Sequence, residues 1–257
     1  LATLFGLATS LGLGAQQATS GINHVFGTSG GVGMQIFVII VVTAIAVVSV
    51  VRGIDGGVKL LSNINMVIAL ALLMFVALLG VAVVIGTIPK TIGAYVENII
   101  PLSNPHGRED QAWFQGWTVF YWAWWISWSP FVGMFIARVS KGRTVRQFIT
   151  AVLIIPTFVT VVWMSVFGGL AIDQVVNKVG ALGSEGLTEV PLAMFQMFDM
   201  LPMGSLLSFV AIILVLVFFI TSSDSGSLVI DSITAGGKLD APVPQRIFWA
   251  SIEGAIA

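Results

Sequence analysis

The chain has 257 residues, of which 57% are hydrophobic and only 9% charged, with a formal net charge of −1. A soluble domain carries about 25% charged residues, so this composition cannot cover a water-facing surface, and near-neutrality leaves no basic footprint for nucleic acid. There is no cysteine, which excludes disulfides and thiolate metal sites.

Several runs approach 20 residues almost free of charge, enough to cross a hydrocarbon layer of roughly 30 Å. They are too long for barrel strands and do not alternate. The fold class is therefore all-α integral membrane. Seven spans are predicted in chain order. The first covers 1–26 and is small and polar-flecked. Then come about 34–51, 62–88, 117–138, 147–172 and 204–229, and the start of another near 244. A polar connection over 89–116, punctuated by Pro89, Pro101 and Pro105, holds a short helical piece, "IGAYVENII". A second polar loop runs over 173–203, and a short basic loop over 139–146. The chain opens on "LATLFGLATS", with no initiator Met and no charged signal start. It stops inside the apolar "IFWASIEGAIA", so it reads as an internal piece of a longer chain.

The basic residues set the orientation. Arg52, Lys59, Arg138, Lys141, Arg143, Arg146, Lys238 and Arg246 fall at one end of the spans. Only Lys90, Arg108 and Lys178 fall at the other. The positive-inside rule makes the first set cytoplasmic. Both long loops, 89–116 and 173–203, are then extracellular.

"FYWAWWISWSPF" (120–131) concentrates Trp122, Trp124, Trp125 and Trp128 in one predicted span. Interfacial belts are the commonest use of membrane tryptophan, and Trp113 and Trp117 fit a belt. Trp125 lies eight residues past Trp117 and thirteen before Arg138, roughly 12 Å and 20 Å along a helix. That is mid-membrane, where an indole N–H finds no water. Pro130 removes a backbone hydrogen bond and pushes Ser129 away from helix, which predicts a broken helix. Indole faces at that depth suit a quaternary ammonium ion through cation–π attraction. Ordinary helix packing fits the same residues equally well.

"ITSSDS" (220–225) places five polar residues in a row in a span. Ser and Thr can bond back to helix carbonyls, but five together with an acid also offer the oxygens that hard cations require. Asp224 is an intramembrane acid and a functional candidate on that ground. A structural ion pair near the cytoplasmic end, with Arg138 as partner, is the plainer reading, and such a pair can also form part of an inner gate. "GTSGGVG" (27–33) lacks the Lys-Ser/Thr ending of a phosphate loop and has no preceding strand. His24 and His106 are isolated. No catalytic triad or metal-ligand spacing occurs, so no enzyme is expected.

"WTVFYWAWWISWSPFVGMFIARVSKGRTVRQFI" (117–149) resembles the signature segment of the betaine/choline/carnitine transporter family. "SLGLGAQQATSGINHVFG" (10–27) is similar to that family's fifth span and "FFITSSDSGS" (218–227) to its tenth; "KLLSNINM" (59–66) and "VFGGLAI" (166–172) also fit. The resemblance covers residues 1–257 as one incomplete transporter domain, equivalent to spans five to ten and part of eleven of a 12-span protein. It implies a five-plus-five inverted-repeat, leucine-transporter-like core. It also implies a multi-pass protein of the bacterial cytoplasmic (inner) membrane, with the lipid bilayer around it and a homotrimer as the usual assembly.

The same resemblance implies site residues. Trp125 becomes the main wall of a substrate cage, Trp124 stands beside it, and Trp128 lines the path to the cytoplasm. Thr221 and Ser222 hydroxyls and the Phe218 carbonyl belong to a Na+ site. Thr3 and Phe131 match a second Na+ site, but its other threonine position is Leu7 here, which cannot ligate. No Arg or Lys stands in 1–26, and "WSPFVG" has no Met, whereas sodium-independent exchangers of the family use an arginine and a methionine as cation surrogates. The implied function is import of a trimethylammonium compound (glycine betaine, choline or carnitine) by alternating access, with Na+ as the coupling ion and no other cofactor. A Na+-independent substrate/product antiporter is the alternative within the family. A channel or receptor for such cations is the alternative outside it.

Overall fold

The computed structural model describes residues 1–52, 59–238 and 241–257, and among them every regular element is helical. Helix α1 (Ala2–Phe26) ends at Gly27, whose φ of 66° is left-handed and closes the last turn onto the Asn23 carbonyl. The Asn23 side chain then ties the following loop, accepting from Gly30 N at 3.0 Å and donating to Gly30 O at 3.1 Å. Helices α2 (Val32–Arg52) and α3 (Lys59–Leu79) are long apolar rods. Helix α4 (Val81–Ser103) follows after a break at Gly80.

That break corrects the single span expected over 62–88. Leu170 packs so close over Gly80 that a Cβ there would meet its side chain at 2.5 Å. The connection expected over 89–116 with one short helix is also more helical than its prolines suggest. Pro89 and Pro101 lie inside α4, which runs to Ser103. The chain turns over 104–110, where the Arg108 guanidinium grips Asp110 and holds its carboxyl below the usual carboxylate range.

Helix α5 (Gln111–Trp113) passes through a π-helical stretch, Phe114–Val119, into α6 (Phe120–Val139). A turn over 140–144 leads to a capping box, in which Thr144 and Gln147 satisfy each other's backbone N–H groups. Helices α7 (Val145–Ile149), α8 (Ile155–Trp163) and α9 (Gly169–Val176) form one rod joined by π-helical segments at 150–154 and 164–168. Short helices α10 (Gly180–Glu185) and α11 (Ala193–Asp199) cap one end of the bundle. His24 of α1 meets Asp199 of α11 there at 2.9 Å. Helices α12 (Gly204–Thr234) and α13 (Val243–Ile256) complete the chain.

Four described helices are long and apolar enough to cross a membrane: 32–52, 59–79, 145–176 and 204–234. The expected spans α1, α6 and α13 are not among them. For α1 the reason is its position. It packs against α2, α6, α12 and α13, so it faces protein rather than lipid and can carry buried Thr3, Ser10 and Thr19. Its small residues admit α12 closely: a Cβ at Gly14 would collide with the Phe219 ring.

Candidate functional site

Helix α1 stands between the two segments that carry the candidate residues. Adjacent residues of α1 face different partners. A Cβ at Gly6 would strike Ser127 Oγ at 2.6 Å and the Trp128 ring at 2.8 Å, so α6 lies directly on that glycine. Leu7, one residue on, fills the notch over Gly226 of α12.

On the α6 side, the expected break at Pro130 does not form. The helix runs through it. Pro130 cannot donate to the Ile126 carbonyl, and Ser129 Oγ donates to it instead at 2.8 Å. Ser127 Oγ likewise bonds Trp124 O at 2.7 Å. Ser129 thus takes over the bond that the proline removes, and the helix continues.

Of the three candidate indoles, Trp124 and Trp128 turn toward α1. Trp124 Nε1 donates to Ser10 Oγ at 3.0 Å and approaches Gly6 O at 3.3 Å, while Ser10 Oγ donates to the same carbonyl at 3.0 Å. Tyr121 and Phe120 lean on the Trp124 ring, with centroids 5.6 and 5.8 Å away. Trp128 packs with Leu4, Leu7, Ile230, Trp249 and Ile252, and its buried Nε1 has no acceptor. Its ring meets Phe131 edge-on at 5.3 Å. Trp125, expected as the main wall, is 73% exposed and belongs to the outer face of α6.

On the α12 side the polar run is inside. Thr221 is buried and its hydroxyl donates to Phe218 O at 2.9 Å, so two expected Na+ ligands already touch. Ser222 is half-buried beside them. Thr3 and Phe131 are both buried on the packed helices α1 and α6. Leu7, where the resemblance implied a second threonine position, packs instead against Gly226 of α12.

The expected Asp224–Arg138 pair is not formed. Asp224 is fully buried and neither carboxylate oxygen has a hydrogen-bond partner. Arg138 is exposed in the last turn of α6. The neighbours of Asp224 are Ser49 of α2 and Glu253 of α13. Glu253 is 1% exposed and accepts from Ser227 Oγ at 3.0 Å. Sequence reading passed over Glu253, although an acid inside "IFWASIEGAIA" is the same signal that singled out Asp224.

The betaine/carnitine/choline family transporter model matches residues 1–257. The chain belongs to this family. It is 79% identical over its whole length to glycine betaine transporter 1 of Vibrio parahaemolyticus, covering 49% of that protein. It is 72% identical to a glycine betaine/proline/choline/ectoine transporter of the same organism, covering 46%. It is 42% identical to the glycine betaine transporter of Bacillus subtilis, covering 50%. The chain therefore spans about half the length of the curated relatives it matches. Family membership and the four apolar helices place the chain in a multi-pass membrane protein.

Proposed function

We propose that the protein to which these residues belong imports glycine betaine or a closely similar quaternary ammonium compound, coupled to Na+, by alternating access. The observation that carries this reading is the position of α1. One face meets the aromatic helix α6 through Gly6 and Ser10, and another meets the hydroxyl-bearing helix α12 through Leu7. An ion at Thr221 and Ser222 and a cation at the indoles would then be bound on two sides of one helix, so that occupancy of either changes the packing felt by the other. Such coupling is reciprocal. The relatives' names supply the substrate class: glycine betaine is in all three.

In this reading Trp125 faces the part of the longer transporter that these residues do not include. Its indole is free here to form one wall of a cage completed from there. The inverted-repeat core and the trimer belong to the same proposal. The hydroxyls of Thr221 and Ser222 with the Phe218 carbonyl hold the coupling Na+, and Thr3 is left without a second threonine. Lack of Arg or Lys in 1–26 favours Na+ over a built-in cation surrogate.

The test is uptake of radiolabelled glycine betaine by the intact protein in proteoliposomes, with Na+ present or replaced by K+. The expected result is accumulation in Na+ alone. Equal uptake in K+ overturns Na+ coupling, and uptake that only equilibrates down its gradient overturns secondary transport in favour of a channel.

A further inference from the structure

The mid-to-lower part of α12 holds a feature that the transport reading leaves unused. Asp224 is fully buried, and Glu253 opposite it on α13 is 1% exposed. The two carboxylates lie close enough to act on each other electrostatically. Hydroxyls surround them from two further positions on α12 and one on α2. Ser227 Oγ bonds Glu253 Oε2 at 3.0 Å, with buried Ser223 near the same carboxylate and Ser49 beside Asp224.

Buried carboxylates are normally paired with a cation. Neither Asp224 nor Glu253 forms an ion pair with any described Lys or Arg. Asp231, two turns further along α12, also has no hydrogen-bond partner at either oxygen, but it lies in the field of Arg246 of α13. Of the other basic residues at this end of the bundle, Arg52, Lys59 and Arg138 are exposed. A second observation points to a ligand. Ser49 is 96% buried by its 4% exposure, and its Oγ has no hydrogen-bond partner although a carboxylate is its neighbour. Both Asp224 oxygens are likewise unpartnered. A proton between these groups would draw them into hydrogen-bond contact. A hard cation is held by several oxygens at once, and carboxylate and hydroxyl oxygens gathered without partners offer that set.

We propose that Asp224 and Glu253, with the hydroxyls of Ser49, Ser223 and Ser227, bind one Na+ ion in the seam between α2, α12 and α13. On α12 its ligands run from Ser223, next to Ser222, to Ser227, so the site adjoins Thr221 and Ser222 but draws on different oxygens. Two carboxylates with neutral hydroxyls make a small, all-oxygen ligand set suited to a hard cation such as Na+. Its ion neutralises a buried negative charge and ties α13 to the helix that carries the coupling site.

The experiment is equilibrium binding of radioactive 22Na+ to the purified intact protein, without substrate. Glu253→Gln is expected to abolish one bound equivalent while Thr221→Ala leaves that equivalent in place. Ser227→Ala, a milder change, is expected to weaken the same equivalent by about tenfold, the usual scale for groups that orient a metal ligand. It keeps the test open where the carboxamide fails to fold. Unchanged Na+ stoichiometry and affinity in folded Glu253→Gln or Ser227→Ala overturns the site. A variant that shifts only the pH profile of uptake, with Na+ binding intact, shows that the pair holds a proton and also overturns it. Loss of an equivalent in Thr221→Ala but not in Glu253→Gln sinks this site and leaves Na+ coupling standing. No Na+ binding by the unsubstituted protein sinks both.

Discussion

Helices α6 and α12 flank the same central helix, yet they announce themselves in opposite ways. In α12 the polar residues point inward: Thr221, Ser223, Asp224, Ser227, Asp231 and Ser232 are all buried. In α6 the aromatic residues divide. Trp124 and Trp128 turn to α1, while Trp122 and Trp125 are exposed at 64% and 73%. The difference is physical. A hydroxyl or carboxylate in a membrane span is unfavourable against lipid, so its direction can be read from its type. An indole is at home against lipid, protein or a bound cation, so its type says nothing about its direction.

The comparison is sharpened first where the helices touch. Gly226→Ala forces a methyl into Leu7 of α1, and overpacking of this kind costs about 1–3 kcal/mol. Gly133→Ala on α6 meets nothing within 4 Å and adds helix propensity. Thermal unfolding of the detergent-solubilised intact protein should show a clear loss for the first and none for the second. Equal losses would mean that α1 is not seated on α12 as described.

A second test separates two adjacent tryptophans by two readouts. Trp125→Ala should weaken substrate binding by about 2 kcal/mol, the value of a desolvated cation–π contact, with little change in stability. Trp124→Phe should lower stability by about 1 kcal/mol, because it removes the donor to Ser10 Oγ and Gly6 O. Calorimetric titration with glycine betaine and thermal unfolding measure the two effects. If Trp125→Ala left affinity unchanged, the outer face of α6 would not be the cage wall.

Smallest of all is Arg138→Ala. Since Arg138 is exposed and makes no ion pair with Asp224, its loss should change stability by no more than about 0.5 kcal/mol. A loss of several times that size, cancelled in a double variant with Asp224→Asn, would restore the gate pair.

How much was legible follows from the same contrast. The helical class, most helices and the inward run in α12 were readable, since charge scarcity and polar residues in spans have one meaning. The break at Gly80 was not, because it depends on Leu170 packing from a distant helix. Continuity through Pro130 was not, although Ser129 was in view, because repair of the Ile126 carbonyl requires a rotamer. The Asp224–Arg138 pairing failed because sequence order cannot tell whether any basic residue reaches a buried acid; here Arg138 stays exposed and Asp224 has no partner. Glu253 could have been found from its place in an apolar run, and its pairing with Ser227 could not.

The central claim is that the hydroxyls of α12 hold the coupling ion beside α1. Its most direct test is the Na+ dependence of glycine betaine uptake in Thr221→Ala and Ser222→Ala variants of the intact protein. Each removes one oxygen from a site with about six. The account predicts that half-saturation for Na+ rises in both variants and that apparent substrate affinity falls with it. Half-saturation unchanged in both, with normal amounts of folded protein in the membrane, would contradict it.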